Sequence, residues 1–304
     1  MYQQRWSRGY HNKDAHITFD AYNHEYKVDW NRDGKYRTVD VSVTSFISKF
    51  FPVFNARDAA KRCIKGNGKS KLHNNDGPKR KRFKSRYKKM TVEELEQKWK
   101  DDGKEARDKG TILHADIERW FNDHEESQQG KTNWTGISTW TPTTECDEIK
   151  QFMNYTENPI NRAWEPLRVE WMIHSDIKTR MVGCIDMVYV VRVDDDGTLV
   201  LALVDWKRTK KINQFAFNGE CGTGPCSSIK NANFFKYSLQ LSMYKFIIDN
   251  YYEGLVWKGK VYEKVRVSDL WLVCFHEKRK NFIKFKCPYL GPTIDKMLKT
   301  RIKD

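Results

Sequence analysis

Apolar and polar positions follow two rhythms along this chain, and each rhythm marks an element. Residues 200–204, Val-Leu-Ala-Leu-Val, form an unbroken apolar run, the pattern of a strand buried on both faces. A second apolar stretch at 183–191 precedes it, and the turn Asp194, Asp195, Asp196, Gly197 joins the two into a hairpin. Further strands are expected at 168–171 and 270–275. Phe234, Leu239, Leu241 and Phe246 belong to a buried helix, and 294–302 to a closing one. Near the N-terminus, 17–20, 23–29 and 37–41 alternate like strands. Ser42 is placed to cap a short helix through Phe46 that Pro52 stops. Thr91 and Glu94 have capping-box spacing and open a helix with Leu95 and Trp99 on one face. Gly103 is expected to end it before the helix bearing His114. Residues 127–144, polar and interrupted by Gly130, Gly136 and Pro142, read as a loop; Trp134 and Trp140 there either pack or stack on bases. The predicted fold class is α/β: a central mixed β-sheet flanked by helices over 90–304. A small N-terminal β-containing extension at 1–60 and a basic flexible loop at 61–89 precede it.

The hairpin carries charge where buried strands rarely do. Asp186 lies near the start of its first strand, and Asp205, Trp206 and Lys207 close the second. A charge at the end of a buried strand is expected only where it is paired or binds a metal. Hard divalent cations such as Mg²⁺ take carboxylate oxygens and keep open positions for water and phosphate. A neighbouring lysine orients the attacking water and neutralises developing phosphate charge. Against this stands the plainer reading, a pair of solvated hairpin charges.

Four segments together carry a resemblance: Gly110, Thr111 and His114 on a helix; Gly183 and Asp186; Asp205 and Lys207; Gln240 and Tyr244 on a later helix. In this order the chain resembles the PD-(D/E)XK nuclease superfamily, and most closely its RecB-type and lambda-exonuclease-like branch. The likeness spans roughly residues 90–290, and the layout is similar to nucleases encoded by large DNA viruses and mobile elements. The resemblance implies a restriction-endonuclease-like core. It makes Lys207, Asp205 and Asp186 catalytic, and His114, Asp186, Asp205 and the Trp206 carbonyl metal ligands. Glu170, a fourth catalytic candidate, either holds a second metal or a metal-bound water, or is an exposed strand residue. Gln240 and Tyr244 share a helix face and either meet DNA or brace the strand end that bears Asp205; Tyr237 lies on that face too. Glu118, four beyond His114, either orients the histidine or is solvated. Arg208 is a further candidate for DNA contact or site support. The implied reaction is Mg²⁺-dependent hydrolysis of DNA phosphodiester bonds, leaving a 5′-phosphate and a 3′-hydroxyl, with Mn²⁺ able to substitute. An exonuclease acting on ends or single strands in replication, repair or recombination fits best. A structure-specific endonuclease and a catalytically silent DNA-binding accessory protein are the alternatives.

Charge sharpens the substrate. The 304 residues carry a formal net charge of +15, which favours a polyanionic partner. Residues 61–89 hold 13 Lys and Arg against one acid, Asp76, so this segment carries +12 and the rest of the chain only +3. Rich in Gly, Asn and Ser, the segment suits contact with phosphate backbones. Lys79, Arg80, Lys81 and Arg82 are its densest point, either a DNA contact, a nuclear-import signal or part of a solubilising insert.

Other classes lose ground. No run of about 20 apolar residues marks a membrane span. The first residues, Met-Tyr-Gln-Gln-Arg-Trp, are too polar for a secretory signal, and seven cysteines without tight pairing fit an intracellular, reducing compartment. Some relatives in the resembled branch hold an iron–sulfur cluster on four clustered cysteines; Cys221 and Cys226 stand five apart with the others scattered, so none is expected here. No Gly-x-Ser-x-Gly elbow, no Walker-type phosphate loop and no His-x-Glu with Cys-x-x-Cys of a zinc deaminase is present.

Overall fold

The computed structural model describes residues 9–20, 22, 23, 25–65, 87–126, 140–216 and 219–302. The N-terminal alternation becomes β1 (Gly9–Tyr10), β2 (Ile17–Asp20), β3 (Glu25–Val28) and β4 (Arg37–Thr38). The last three form an antiparallel sheet in that order. Ile17 and Val28 face each other across it and are buried with Met172 and Val182. Ser42 Oγ accepts from the Ser45 amide at 3.3 Å and starts α1 (Val43–Ser48).

Two compact units divide the chain, one at 53–109 and one joining 1–52 to 110–304. This partition differs from the expected 1–60, 61–89 and 90–304. In the smaller unit, α2 (Ala56–Lys65) takes in Lys61, Arg62 and Lys65. The basic segment therefore begins as helix rather than loop, because Ala59 and Ala60 lead into it and lysine and arginine are, like alanine, strong helix formers. Lys79, Arg80, Lys81, Arg82 and Trp134 lie outside the described residues. The capping box forms as spelled: Glu94 N donates to Thr91 Oγ1 at 3.1 Å, and Thr91 N to Glu94 Oε2 at 2.8 Å.

The helix that follows, α3 (Val92–Glu126), runs straight through Gly103 and Gly110. The expected break at Gly103 does not occur. One helical glycine costs about 1 kcal/mol, and ion pairs four residues apart on either side, Lys98 with Asp102 and Glu105 with Lys109, help the helix continue.

In the larger unit, α4 (Asp147–Glu157) and α5 (Pro159–Arg162) lead into three long strands, β5 (Glu165–His174), β6 (Val182–Val193) and β7 (Leu199–Arg208). Helix α6 (Asn233–Tyr251), the short β8 (Leu255–Trp257) and β9 (Lys260–Tyr262), then β10 (Val265–Phe275), β11 (Ile283–Lys286) and α7 (Gly291–Arg301) complete it. The main sheet has the order β11-β10-β7-β6-β5, with β10 parallel to β7 and the other pairs antiparallel. A second small sheet orders β1-β8-β9. The fold is mixed α/β.

Both faces of the main sheet are covered, which is why β7 reads as continuous apolar sequence. On one face Leu199, Leu201 and Leu203 pack with α1, α6 and α7 through Phe46, Leu241, Ile247 and Met297. On the other, Val204 and Trp206 pack with α3 and α4 through Ile117, Phe121, Phe152 and Tyr155. Asp205 and Lys207, alternating with Trp206, are thereby aimed toward α6. Among the described residues no helix is long and apolar enough to cross a membrane.

A candidate metal and phosphate site at a strand fork

The candidate residues meet where two strands part. β6 and β7 pair from Val193 opposite Leu199 to Met187 opposite Val204, and there the ladder ends. The next residue of each strand is Asp186 and Asp205. β7 stays attached to β10 beyond this point, with Asp205 opposite Leu272 and Lys207 opposite Cys274, while β6 stays with β5. The amide of Trp206, freed from the β6 ladder, donates to Asp186 Oδ2 at 2.7 Å. A buried N–H must find a partner, and here a carboxylate supplies it.

Glu170 joins from β5. Val169 pairs with Met187 and Trp171 with Ile185, so Glu170 stands opposite Asp186. Its φ is +45°, in the left-handed region, a strained setting for a residue with a Cβ. His114 enters from α3: Nδ1 lies 3.3 Å from Glu170 Oε1 and 3.8 Å from Asp186 Oδ2, and Nε2 lies 3.1 Å from the Trp206 carbonyl. His114, Glu170 and Asp186 each offer one ligand atom within 4.8 Å of the others. The expected grouping was Asp186, Asp205, His114 and the Trp206 carbonyl. Glu170 takes the place given to Asp205 in the tight cluster, and Asp205 faces its own partners.

Those partners are Lys207 and Gln240. Lys207 Nζ sits 2.6 Å from Asp205 Oδ2 and 4.9 Å from the centre of the Tyr237 ring. Gln240 Nε2 is 3.1 Å from Asp205 Oδ1 and 3.2 Å from the Tyr244 hydroxyl. Asp205 is thus held on both oxygens, Oδ1 by Gln240 and Oδ2 by Lys207. Gln240 and Tyr244 are buried, so of their two expected roles the structure gives them the brace and not contact with DNA. Gly183 completes this brace. A Cβ there would lie 2.4 Å from Tyr244 Cε1, so only glycine lets the tyrosine close against β6.

Burial and mutual charge set the protonation. Burial raises the Asp186 carboxyl, against the pull of His114 and Lys207. Burial likewise raises Asp205 to about 6, with Lys207 opposing it and Asp186 adding to it. Burial disfavours the imidazolium of His114, but Asp186 and then Glu170 outweigh it and lift the group to about 9. The same contest raises Lys207: burial opposes its charge, Asp205 and Asp186 more than restore it.

Two expected contributors stand elsewhere. The Arg208 side chain is largely buried, its Nη2 paired with Glu148 at 2.8 Å and Glu277 at 3.1 Å, so it anchors α4 to β7. Both nitrogens of His114 are engaged by Glu170 and Trp206, so Glu170 rather than Glu118 orients the ring. Glu118 stands close enough to disfavour the Cys184 thiolate. Trp140, one of the two loop tryptophans, packs against the α3–α4 cluster. Cys184 and Tyr26 escaped sequence reasoning. The Cys184 thiol donates to Glu170 Oε2 at 3.3 Å, and Tyr26, from β3, packs beside Cys184. Cys184 fills an unspecified position between Gly183 and Asp186, and Tyr26 is remote in sequence, so no motif marks either.

No protein-family model matches the chain, and no curated protein is significantly similar to it.

The residues present fit a hard divalent cation. Carboxylates from Glu170 and Asp186 converge with the His114 ring and the Trp206 carbonyl, the ring becoming a nitrogen donor once a cation displaces its proton. That donor set, oxygen-rich with one nitrogen, suits Mg²⁺ or Mn²⁺ better than a thiophilic ion.

Proposed function

We propose that this protein is a Mg²⁺-dependent deoxyribonuclease of the PD-(D/E)XK type, acting as an exonuclease on DNA ends or single strands. The observation that carries the reading is the strand fork, where Asp186 and Asp205 diverge with Glu170 beside them and Lys207 closing the end. A divalent cation held by Asp186 and Glu170, and by His114 after displacing its proton, with Asp205 adjoining, would bind a phosphate oxygen and acidify a bound water. Lys207, kept as the ammonium by Asp205, places a positive charge where the phosphate gains negative charge. Gln240, fixed by Tyr244, holds the Asp205 carboxylate in one rotamer, the support a reacting group needs. Glu170 holds His114 in place.

Digestion of end-labelled linear, circular and single-stranded DNA in Mg²⁺ or Mn²⁺ tests the reading. Wild type is expected to degrade linear but not circular DNA, with loss in EDTA and at least a 100-fold loss in Lys207→Ala, the scale of removing one electrostatic stabiliser. Cleavage of circles reassigns the protein as an endonuclease using the same centre. Activity that survives Lys207→Ala sinks the site.

A further inference from the structure

Eight residues beyond Lys207, an aromatic ring stands in solvent without a structural reason to be there. Phe215 is 80 % exposed, whereas most described aromatic rings are buried or half-buried. It lies in the loop 209–216, which leaves β7 two residues after Lys207. Lys210 and Lys211 are exposed in the same loop, and neither forms an ion pair among the described residues. Lys230 places its ammonium 5.4 Å from the centre of the Phe215 ring.

The loop is held firmly underneath. Arg279 Nη2 donates to the Lys210 carbonyl at 2.6 Å, and Asn233 Nδ2 to that of Lys211 at 3.2 Å. Asn213 N donates to Asn233 Oδ1 at 2.7 Å, and Asn213 O accepts from the Phe234 amide at 3.2 Å. Ile212 is buried as an anchor. Backbone groups thus point inward and are spent on the protein, while two lysines and a phenylalanine point outward. Asn233 opens the helix that carries Gln240, seven residues and about 10 Å along its axis. Two acids on neighbouring segments have partners of their own: Glu220 accepts from Asn231, and Glu277 from Arg208.

A rigid, positively charged rim with an exposed ring suits one partner chemistry. Single-stranded nucleic acid offers a phosphate chain for lysines and unstacked bases for an aromatic face, whereas in duplex the base faces are already stacked. We infer that loop 209–216 docks an unpaired DNA strand, Phe215 stacking on a base while Lys210 and Lys211 meet phosphates. Lys230 backs the ring. The inference rests on the nucleic-acid half of the proposed function and not on its chemistry.

The test is fluorescence-anisotropy binding of a labelled 15-nucleotide oligothymidylate and of a blunt duplex of equal length, in EDTA so that nothing is cleaved. Phe215→Ala is expected to weaken single-strand binding about 5- to 150-fold, the range for one base–aromatic stack, and to leave duplex binding unchanged. Phe215→Trp should retain the affinity and Phe215→Leu should not, which separates stacking from apolar contact. Lys210→Ala with Lys211→Ala should lower the slope of log affinity against log salt by about 1.4, at ~0.7 per phosphate contact on a single strand. Because Phe215 is exposed, circular dichroism of each variant should match wild type. Equal binding by wild type and Phe215→Ala overturns the inference, even if the protein proves to be a nuclease. Equal losses on single strand and duplex also overturn it. A Phe215-dependent single-strand affinity in a protein that hydrolyses nothing supports it while the catalytic reading fails.

Discussion

Gly183 and Tyr244 lie in separate motifs, 61 positions apart in sequence, and the structure makes each a condition of the other. Replacing Gly183 by alanine puts a methyl group 2.4 Å from Tyr244 Cε1 and 3.0 Å from both Cζ and the hydroxyl oxygen. Carbon atoms rest at about 3.5–4.0 Å, so the ring must move by about 1 Å or more. It has little room, since Tyr244 is 3 % exposed and its helix is packed into the core. Overpacking of this kind costs about 1–3 kcal/mol. Alanine returns roughly 0.5–1 kcal/mol through the stiffer unfolded chain. The net expectation is a loss of about 1–2 kcal/mol. Urea unfolding measures it directly as a lower midpoint at unchanged slope. The displaced hydroxyl also loosens Gln240, hence Asp205, so hydrolysis should fall by more than stability explains. The decisive control is a cycle with Tyr244→Leu, which vacates the clash. In the double variant the clash is gone and the alanine should return its roughly 0.5–1 kcal/mol, a coupling of about 1 kcal/mol or more. Full additivity, or a wild-type midpoint for Gly183→Ala, refutes the packing argument.

Three further outcomes follow from the same geometry. Asp14 receives Arg168 Nη1 at 2.7 Å and Trp171 Nε1 at 2.9 Å; Asp14→Asn strands a guanidinium that is 2 % exposed and should cost about 3–5 kcal/mol, whereas a loss below 1 kcal/mol in urea melts means the pair is not buried in solution. His174, held down from 6.5 to about 4 chiefly by burial and then by Lys13, stays neutral in the folded state while the unfolded chain takes a proton below pH 6.5, so stability falls as pH falls through that window. At ~1.4 kcal/mol per unit the full effect is about 3 kcal/mol, and about 2 kcal/mol of it should separate pH 7 from pH 5 in wild type but not in His174→Gln; parallel pH profiles reject this. Glu170→Gly relieves the left-handed φ of +45°, worth about 1–3 kcal/mol, against roughly 0.5–1 kcal/mol of added chain entropy; a melting temperature equal to or above wild type with hydrolysis lost is expected, and a drop of several degrees speaks against strain.

Much of this site is legible in the sequence, for identifiable reasons. Asp205 and Lys207 stand out because an apolar run ends in charge, and burial of that run is what makes the charge informative. Gln240 and Tyr244 share a helix face by spacing alone, yet spacing does not say whether the face meets DNA or Asp205. The contact with Gly183 decides that, and it is a long-range fact. Strand alternation sets Glu170 between Val169 and Trp171 without saying where its carboxylate goes; the left-handed backbone at this one residue turns it onto His114, and no pattern of residue types encodes it. The continuous α3 defeats the expectation at Gly103 because helix propensity is a weak prior against ion pairs and packing. Arg208 reads as a basic neighbour of Lys207 until Glu148, 60 positions earlier, takes its guanidinium.

The four short motifs act at one place because a sheet can open there. Inside a continuous sheet, Asp186 and Asp205 would sit opposite each other with every amide bonded to a neighbour, and two buried carboxylates would face off with nothing between them. Ending the β6–β7 ladder at Met187 and Val204 separates them and frees the Trp206 amide for Asp186 and its carbonyl for His114. Three carboxylates remain within one buried region, balanced by the Lys207 ammonium and by a histidine lifted to about 9. The raised carboxyls of Asp186 and Asp205 express the same shortage of positive charge. A fold that needed only stability would replace such a cluster with apolar side chains at little loss. Keeping it, with one residue in strained backbone, is the arrangement expected of a site that waits for a cation and a phosphate.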